Sequence, residues 1–87
     1  MEYFVYIIYS ADSNVFYKGM SSDPYKRLMY HNKGLNRYTR SRIPWELVYI
    51  EKCKDKRSAL IREKQLKKYN HIYIQELINS NKNILKA

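Results

Sequence analysis

Tyr3-Phe4-Val5-Tyr6-Ile7-Ile8-Tyr9, followed by Val15-Phe16-Tyr17-Lys18-Gly19, is the stretch that decides the fold. The first run is apolar at odd and even positions alike, so it reads as a central strand covered on both faces. Ser10-Ala11-Asp12-Ser13-Asn14 is turn chemistry. The second run then returns as the partner strand of a hairpin, which brings Tyr6 and Tyr17 near each other.

Downstream, Ser21-Ser22-Asp23-Pro24 starts a helix, with Asp23 as cap and Pro24 at the first helical position. That helix is expected to reach about Asn32 and to stop at Gly34. Its core stripe reads as Tyr25, Leu28 and Met29. Residues 35–44 form a basic loop carrying Arg37, Tyr38, Arg40 and Arg42. Residues 45–52 make a third strand, Asp55 caps a second long helix through about Tyr69, and a shorter helix spans about His71 to Ile78. Residues 79–87 are polar and expected to fray. The expected fold is α+β: a small three-stranded antiparallel sheet flanked by helices, in the order β-β-α-β-α-α. Residues 1–79 form the single domain and 80–87 its polar tail.

Composition narrows the function. The 87 residues hold one small core, and 45% hydrophobic content argues against wholesale disorder. No apolar run approaches the ~20 residues of a membrane span, and Met1-Glu2-Tyr3-Phe4 lacks a signal peptide's basic start. A lone cysteine, Cys53, fits a reducing cytoplasm, and one cysteine with two histidines cannot build a structural zinc site. Any metal is therefore a hard cation on oxygen ligands. A net charge of +9, from 17 Lys+Arg against 8 Asp+Glu, favours a polyanion partner.

Glu63 is the residue out of place. At ~100° per residue, Ala59, Leu60 and Leu66 share one helical stripe, and Glu63 falls within it. A buried carboxylate is costly unless a cation, a metal or hydrogen bonds compensate it. Arg27 and His31 sit four apart on the first helix and project side by side, away from the Tyr25/Leu28/Met29 stripe. A solvated face explains such a pair as readily as a site does. Among the ten tyrosines, Tyr3, Tyr9, Tyr49 and Tyr73 read as core or rim rings with a wet hydroxyl.

Taken in order, Phe4-Val5-Tyr6, Tyr17-Lys18-Gly19, Arg27 with His31, His31-Asn32-Lys33-Gly34, Arg37-Tyr38-Thr39 and Ala59-Leu60-Ile61-Arg62-Glu63 resemble the GIY-YIG nuclease superfamily. The match is nearest to small single-domain bacterial members, and it covers Tyr3 to about Asn70. The resemblance implies a divalent-metal-dependent endonuclease acting on DNA, in repair or recombination, on branched, damaged or single-strand-containing substrates. It implies that Tyr6 or Tyr17 activates the attacking water. Arg27 would polarise the scissile phosphate, His31 would assist proton transfer or phosphate contact, and Glu63 would hold a single Mg2+ or Mn2+. It also leaves room for a protein partner that adds specificity and for a nucleoid-associated place in the cytoplasm.

Departures from the pattern are Phe-Val-Tyr for Gly-Ile-Tyr, and Lys18 where the second motif has isoleucine. Lys18 should face away from Tyr17, either solvated or touching phosphate. Lys18, Arg37, Tyr38, Arg40 and Arg42 are the candidate nucleic-acid contacts, with Tyr38 and Trp45 suited to stacking. A mobile loop with Trp45 buried is the plainer alternative. Asn70 is open between a polar neighbour of the metal and a helix cap; His71 and Cys53 read as structural or incidental. Two other functions compete: a non-catalytic nucleic-acid-binding module, and a small RNA- or ribosome-associated basic protein whose Glu63 is neutralised by Arg27.

Overall fold

Val5, Tyr6, Ile7 and Ile8 are all at most 1% exposed, and consecutive residues of one strand can be hidden this way only when both its faces and both its edges are covered. The computed structural model describes residues 2–86 and shows how this is done. Met1 and Ala87, the outer ends of the expected domain and tail, lie outside the described residues. Strand β1 (Tyr3–Ser10) is central, with β2 (Val15–Ser21) and β3 (Glu46–Cys53) antiparallel on either side, in the order β2-β1-β3. Helices α1 (Pro24–Asn32), α2 (Lys56–Lys67) and α3 (His71–Ile78) complete the α+β fold, with short 3-10 turns at Arg40–Arg42 and Ile84–Lys86.

Alternation along β1 divides the interior in two. Val5 and Ile7 pack with Tyr49, Cys53, Ala59, Leu66, Ile74 and Leu77, the main core under α2 and α3. Tyr6 and Ile8 face the other way, toward Trp45, Tyr17 and Leu28 of α1. Register sets what meets there: Tyr6 stands opposite Gly19, and Ile8 opposite Tyr17. Lys18 pairs with Ile7 instead, so it lies on the opposite face from Tyr17, as the strand period requires.

Local signals behave as their chemistry dictates. Asp23, Asp55 and Asn70 each accept a backbone N–H from the residue three further on, at 3.1, 2.8 and 2.8 Å. Asn70 is thus a helix cap. Gly34 takes the left-handed φ of +77° expected just past a helix end.

Helix phase is where the sequence expectation fails. Tyr25 and Met29, expected in the α1 core stripe, are 60% and 58% exposed. The buried residues of α1 are Pro24 and His31, with Arg27 and Leu28 half-buried between them. The helix is turned by about one residue, ~100°, from the apolar assignment. A histidine with both nitrogens bonded can be buried, and a stripe chosen by hydrophobicity misses that option. The α2 stripe holds better: Ala59 and Leu66 are fully buried and Glu63 is partly buried, while Leu60 is exposed.

Two further expectations change. Tyr49 has no wet hydroxyl; it is fully buried and donates to Glu51 Oε1 at 2.5 Å, the oxygen that Arg62 Nε also reaches at 3.1 Å. The tail does not fray over the described residues. Asn83 is 3% exposed, accepts from Ile50 N at 3.2 Å and donates to Val48 O and Ile78 O at 2.9 Å each. It supplies the edge of β3 with a donor and an acceptor that would otherwise be unpaired.

Asn83→Ala should therefore lower unfolding stability by about 1–3 kcal/mol, the cost of leaving buried backbone groups unpaired. An unchanged urea midpoint for that variant would show that the tail is only a surface appendage.

Candidate active site

The site begins with a close approach. A Cβ at Gly19 would lie 2.5 Å from Tyr6 Oη and 2.6 Å from its Cζ, so only glycine lets the phenol lie across β2 at this register. The ring then carries its oxygen to α1, where it meets His31 Nε2 at 2.9 Å. The other nitrogen, Nδ1, lies 2.8 Å from the Thr39 hydroxyl. His31 and Thr39 are 0% and 1% exposed.

This junction is held from three sides. Asn32 clamps the start of β3, accepting from Trp45 N at 2.7 Å and donating to Trp45 O at 3.0 Å. Trp45 is buried, and its indole Nε1 donates to Thr39 O at 2.8 Å. Tyr17 and Tyr30 set their rings edge-on to His31, with centroids 5.2 and 6.0 Å away. Arg27 lies with its guanidinium over the Tyr30 ring, 4.1 Å from the centroid, a cation–π contact that steadies a long side chain. A cavity of about 220 Å3 opens beside it, lined by Ser21, Ser22, Asp23, Lys26, Arg27 and Tyr30.

Of the residues expected to act, Tyr6, Tyr17, Arg27 and His31 meet on the α1 side of the sheet. The expectation that Arg27 and His31 point away from the interior is corrected: His31 is buried completely and Arg27 partly. Glu63 comes from α2, and its side chain is 15% exposed. Its negative charge adds slightly to the rise in the Tyr6 pKa. Lys67 is its cationic neighbour, at a loose 3.9 Å, and Arg27 is not paired with it among the described residues. The structural Arg27–Glu63 ion pair required by the RNA- or ribosome-associated reading is therefore missing there.

Arg37, Tyr38, Arg40 and Arg42 are exposed around the buried Thr39, so the loop is anchored at its middle and offers its cations outward. Lys18 points toward α2. Burial and the charge of Lys67 lower its pKa. Thr39, Tyr30 and Asn32 were not singled out as site residues by the sequence. For Thr39 and Asn32 the signals that could have found them are the Arg37-Tyr38-Thr39 and His31-Asn32-Lys33-Gly34 runs; Tyr30 carried none.

Proton affinities follow from this packing. Burial pushes the Tyr6 phenol up to about 12; the neighbouring Arg27 opposes the rise, while Tyr17 and Glu63 add to it. Burial, helped by the Arg27 charge, depresses His31 to about 4. Both groups are neutral at pH 7. Among the described residues no three His, Cys, Asp or Glu cluster to grip a metal. Glu63 by itself is a hard oxygen donor, which suits an ion that keeps most of its water.

The match to the GIY-YIG catalytic domain spans residues 2–73, and the chain belongs to that family. Within it the chain resembles the small UPF0213 proteins. It is 39% identical over 80 residues to a UPF0213 protein of Bacillus pumilus (strain SAFR-032), covering 86% of this chain and 81% of that one. It is 36% identical over 83 residues to UPF0213 protein YazA of Bacillus subtilis (strain 168), covering 90% and 83%. The solution NMR structure of a UPF0213 protein from Bacillus halodurans superposes with a TM-score of 0.58 at 28% identity, covering 94% of this chain and 87% of that one. The domain is typical of nucleases, which generally use a divalent metal, and it implies nucleic-acid binding. Among the described residues no helix is long and apolar enough to cross a membrane.

Two measurements probe the junction. His31 should titrate near pH 4 by NMR instead of near 6.5. Between those values the unfolded chain binds the extra proton and the native state does not. This group's contribution is therefore complete above about pH 6.5 and falls away toward pH 4, by about 3 kcal/mol. A native-state midpoint above 6 would remove the basis for that slope. Gly19→Ala should displace Tyr6 and break its bond to His31, seen as altered Tyr6 and His31 side-chain resonances. An unshifted pair would mean that β2 yields instead.

Proposed function

We propose that this chain is a divalent-metal-dependent endonuclease that hydrolyses DNA phosphodiester bonds, in repair or recombination, on branched, damaged or single-strand-containing substrates. The observation that carries this reading is the meeting of two phenols, a guanidinium and a bonded imidazole on one side of the sheet, with the Glu63 carboxylate in electrostatic reach. The match of residues 2–73 to a catalytic domain supports it. The single buried cysteine and the +9 charge fit a cytoplasmic or nucleoid-associated protein.

Each group then has a task. Arg27, steadied by Tyr30, holds a phosphoryl oxygen and stabilises the charge that develops there. Tyr6 takes a proton from the attacking water as its own proton passes to His31 Nε2. Tyr17, half-buried beside the same imidazole, lines the water's approach. Mg2+ or Mn2+ on Glu63 would supply positive charge to neutralise the phosphate and to lower the proton affinity of the groups around it. Lys18, Arg37, Arg40 and Arg42 touch the nucleic-acid backbone, and Tyr38, which is 76% exposed, stacks on a base.

Magnitudes show why a cation is needed. A phenol raised to about 12 beside an imidazole depressed to about 4 keeps its proton in the free protein. The pair stays neutral until a bound ion and the phosphate contacts change that balance.

The second reading, a binding module without catalysis, rests on the exposed arginines around Thr39. It has no use for a partly buried Glu63 whose cationic neighbour is as distant as Lys67.

A nicking assay on branched, flap and nicked DNA, with and without Mg2+ or Mn2+, separates the two. Glu63→Gln and Tyr6→Phe should each lower cleavage by roughly 10²–10⁴-fold while binding persists. Binding by all variants with no metal-dependent cutting by the parent would favour the binding module. Arg40→Ala should weaken binding to every sequence alike and reduce the salt slope by about 1 if that side chain meets a phosphate.

A further inference from the structure

Thr39 is given no contact with DNA or metal in the reading above, yet it is firmly fixed. It is 1% exposed within a loop whose neighbours Tyr38 and Arg40 are open to solvent. Its N–H donates to Asn36 Oδ1 at 3.1 Å and its carbonyl accepts from Trp45 Nε1 at 2.8 Å. Trp45 is in turn clamped by Asn32 of α1, the residue next to His31. The backbone is thus tied on both sides, and the side-chain oxygen is delivered 2.8 Å from His31 Nδ1.

Which partner donates follows by elimination. Tyr6 is 1% exposed, and among the described residues the acceptor its O–H can reach is His31 Nε2. Arg27 beside it can only donate. The Tyr6 proton must therefore point at Nε2, or it is buried without a partner at a cost of about 1–3 kcal/mol. Nε2 is then bare. A neutral imidazole keeps one proton, so it sits on Nδ1 and is donated to Thr39 Oγ1.

We propose that Thr39 is a positioning residue which, by accepting from Nδ1–H, fixes the tautomer of His31 and thereby aims the Tyr6 hydroxyl proton at Nε2. The phenolic lone pairs are left for the reacting water. Its catalytic consequence rests on the nuclease reading; the tautomer itself does not. The arrangement is the protein analogue of a ligating histidine whose far nitrogen is oriented by a second group. A structural role would ask only for a side chain of this volume, and valine would serve.

The test uses the whole chain, labelled with 15N, and Thr39→Val and Thr39→Ser. Long-range 1H–15N spectra of the parent at neutral pH should show His31 protonated on Nδ1 and bare on Nε2. Thr39→Val, checked for folding by denaturation, should shift the imidazole toward the Nε2-protonated form, and Thr39→Ser should restore the parental pattern. In the metal-dependent nicking assay, Thr39→Val should lower kcat roughly 10- to 100-fold with KM little changed, again rescued by serine. A parent already protonated on Nε2, or an unaltered Nδ1 tautomer in Thr39→Val, would overturn the proposal. Because the tautomer is read without substrate or metal, absence of cleavage by the parent would count against the nuclease reading alone. Should Thr39→Val fail to fold, the parental spectrum and Thr39→Ser still decide: an Nε2-protonated parent sinks the assignment.

Discussion

A fully buried imidazole with two nitrogens to satisfy is the constraint on which the site side of this molecule depends. Leaving either nitrogen unpaired in the interior would cost a sizeable part of a small domain's margin. Satisfying both ties three distant pieces of chain together: Tyr6 from the central strand, His31 from α1 and Thr39 from the loop before β3. The rest follows in sequence. The phenol reaches the imidazole only by lying over Gly19, and Thr39 reaches it only while Trp45 and Asn32 hold the loop down. What looks like a list of separate motifs is one hydrogen-bonded chain with a close-packed path around it.

The sheet acts as a partition between two ways of being stable. On one face, Val5 and Ile7 join Ala59, Leu66, Ile74 and Leu77 in an apolar core, which supplies the hydrophobic driving force of folding. On the other, Tyr6, His31, Thr39 and Trp45 bury polar atoms that contribute little net stability but define one geometry. Strand alternation lets a single β1 serve both. Helix α2 bridges the two regimes: Ala59 and Leu66 feed the core, and Glu63, between them on the same face, extends its charge to the Tyr6 hydroxyl. A second polar cluster, Tyr49–Glu51–Arg62, lies apart from the first and explains buried tyrosine and arginine without calling on chemistry.

The sequence was most legible where backbone rules act alone. Element order, the central placement of β1, the caps at Asp23 and Asp55 and the turn at Gly34 all follow from period and local hydrogen bonding. It was least legible where a polar residue is buried. Hydrophobicity put Tyr25 and Met29 inside α1 and His31 outside, because no local signal says that a loop threonine and a strand tyrosine will satisfy both ring nitrogens. The same blindness hid Asn83, whose partners lie more than thirty residues away on β3. The motif residues could be named from their order along the chain. Their mutual orientation needed the fold, and so did Thr39, whose importance exists only in three dimensions.

The energetics of the Tyr6–His31 pair explain why it is inert at neutral pH. With the phenol near 12 and the imidazole near 4, each group holds the protonation state that the other needs for a strong neutral hydrogen bond. The ground state is therefore well satisfied and chemically idle. Positive charge has to enter for the balance to move, and Glu63 is the carboxylate whose charge is felt at the Tyr6 hydroxyl. A second acid would hold an ion more tightly and would also add to the repulsion that already raises the Tyr6 phenol. In the proposed reading, relying on Glu63 without a second acid gives up affinity for the ion and keeps the phenol less hard to ionise. That trade favours a site completed by its substrate's own phosphate oxygens over one preloaded with metal.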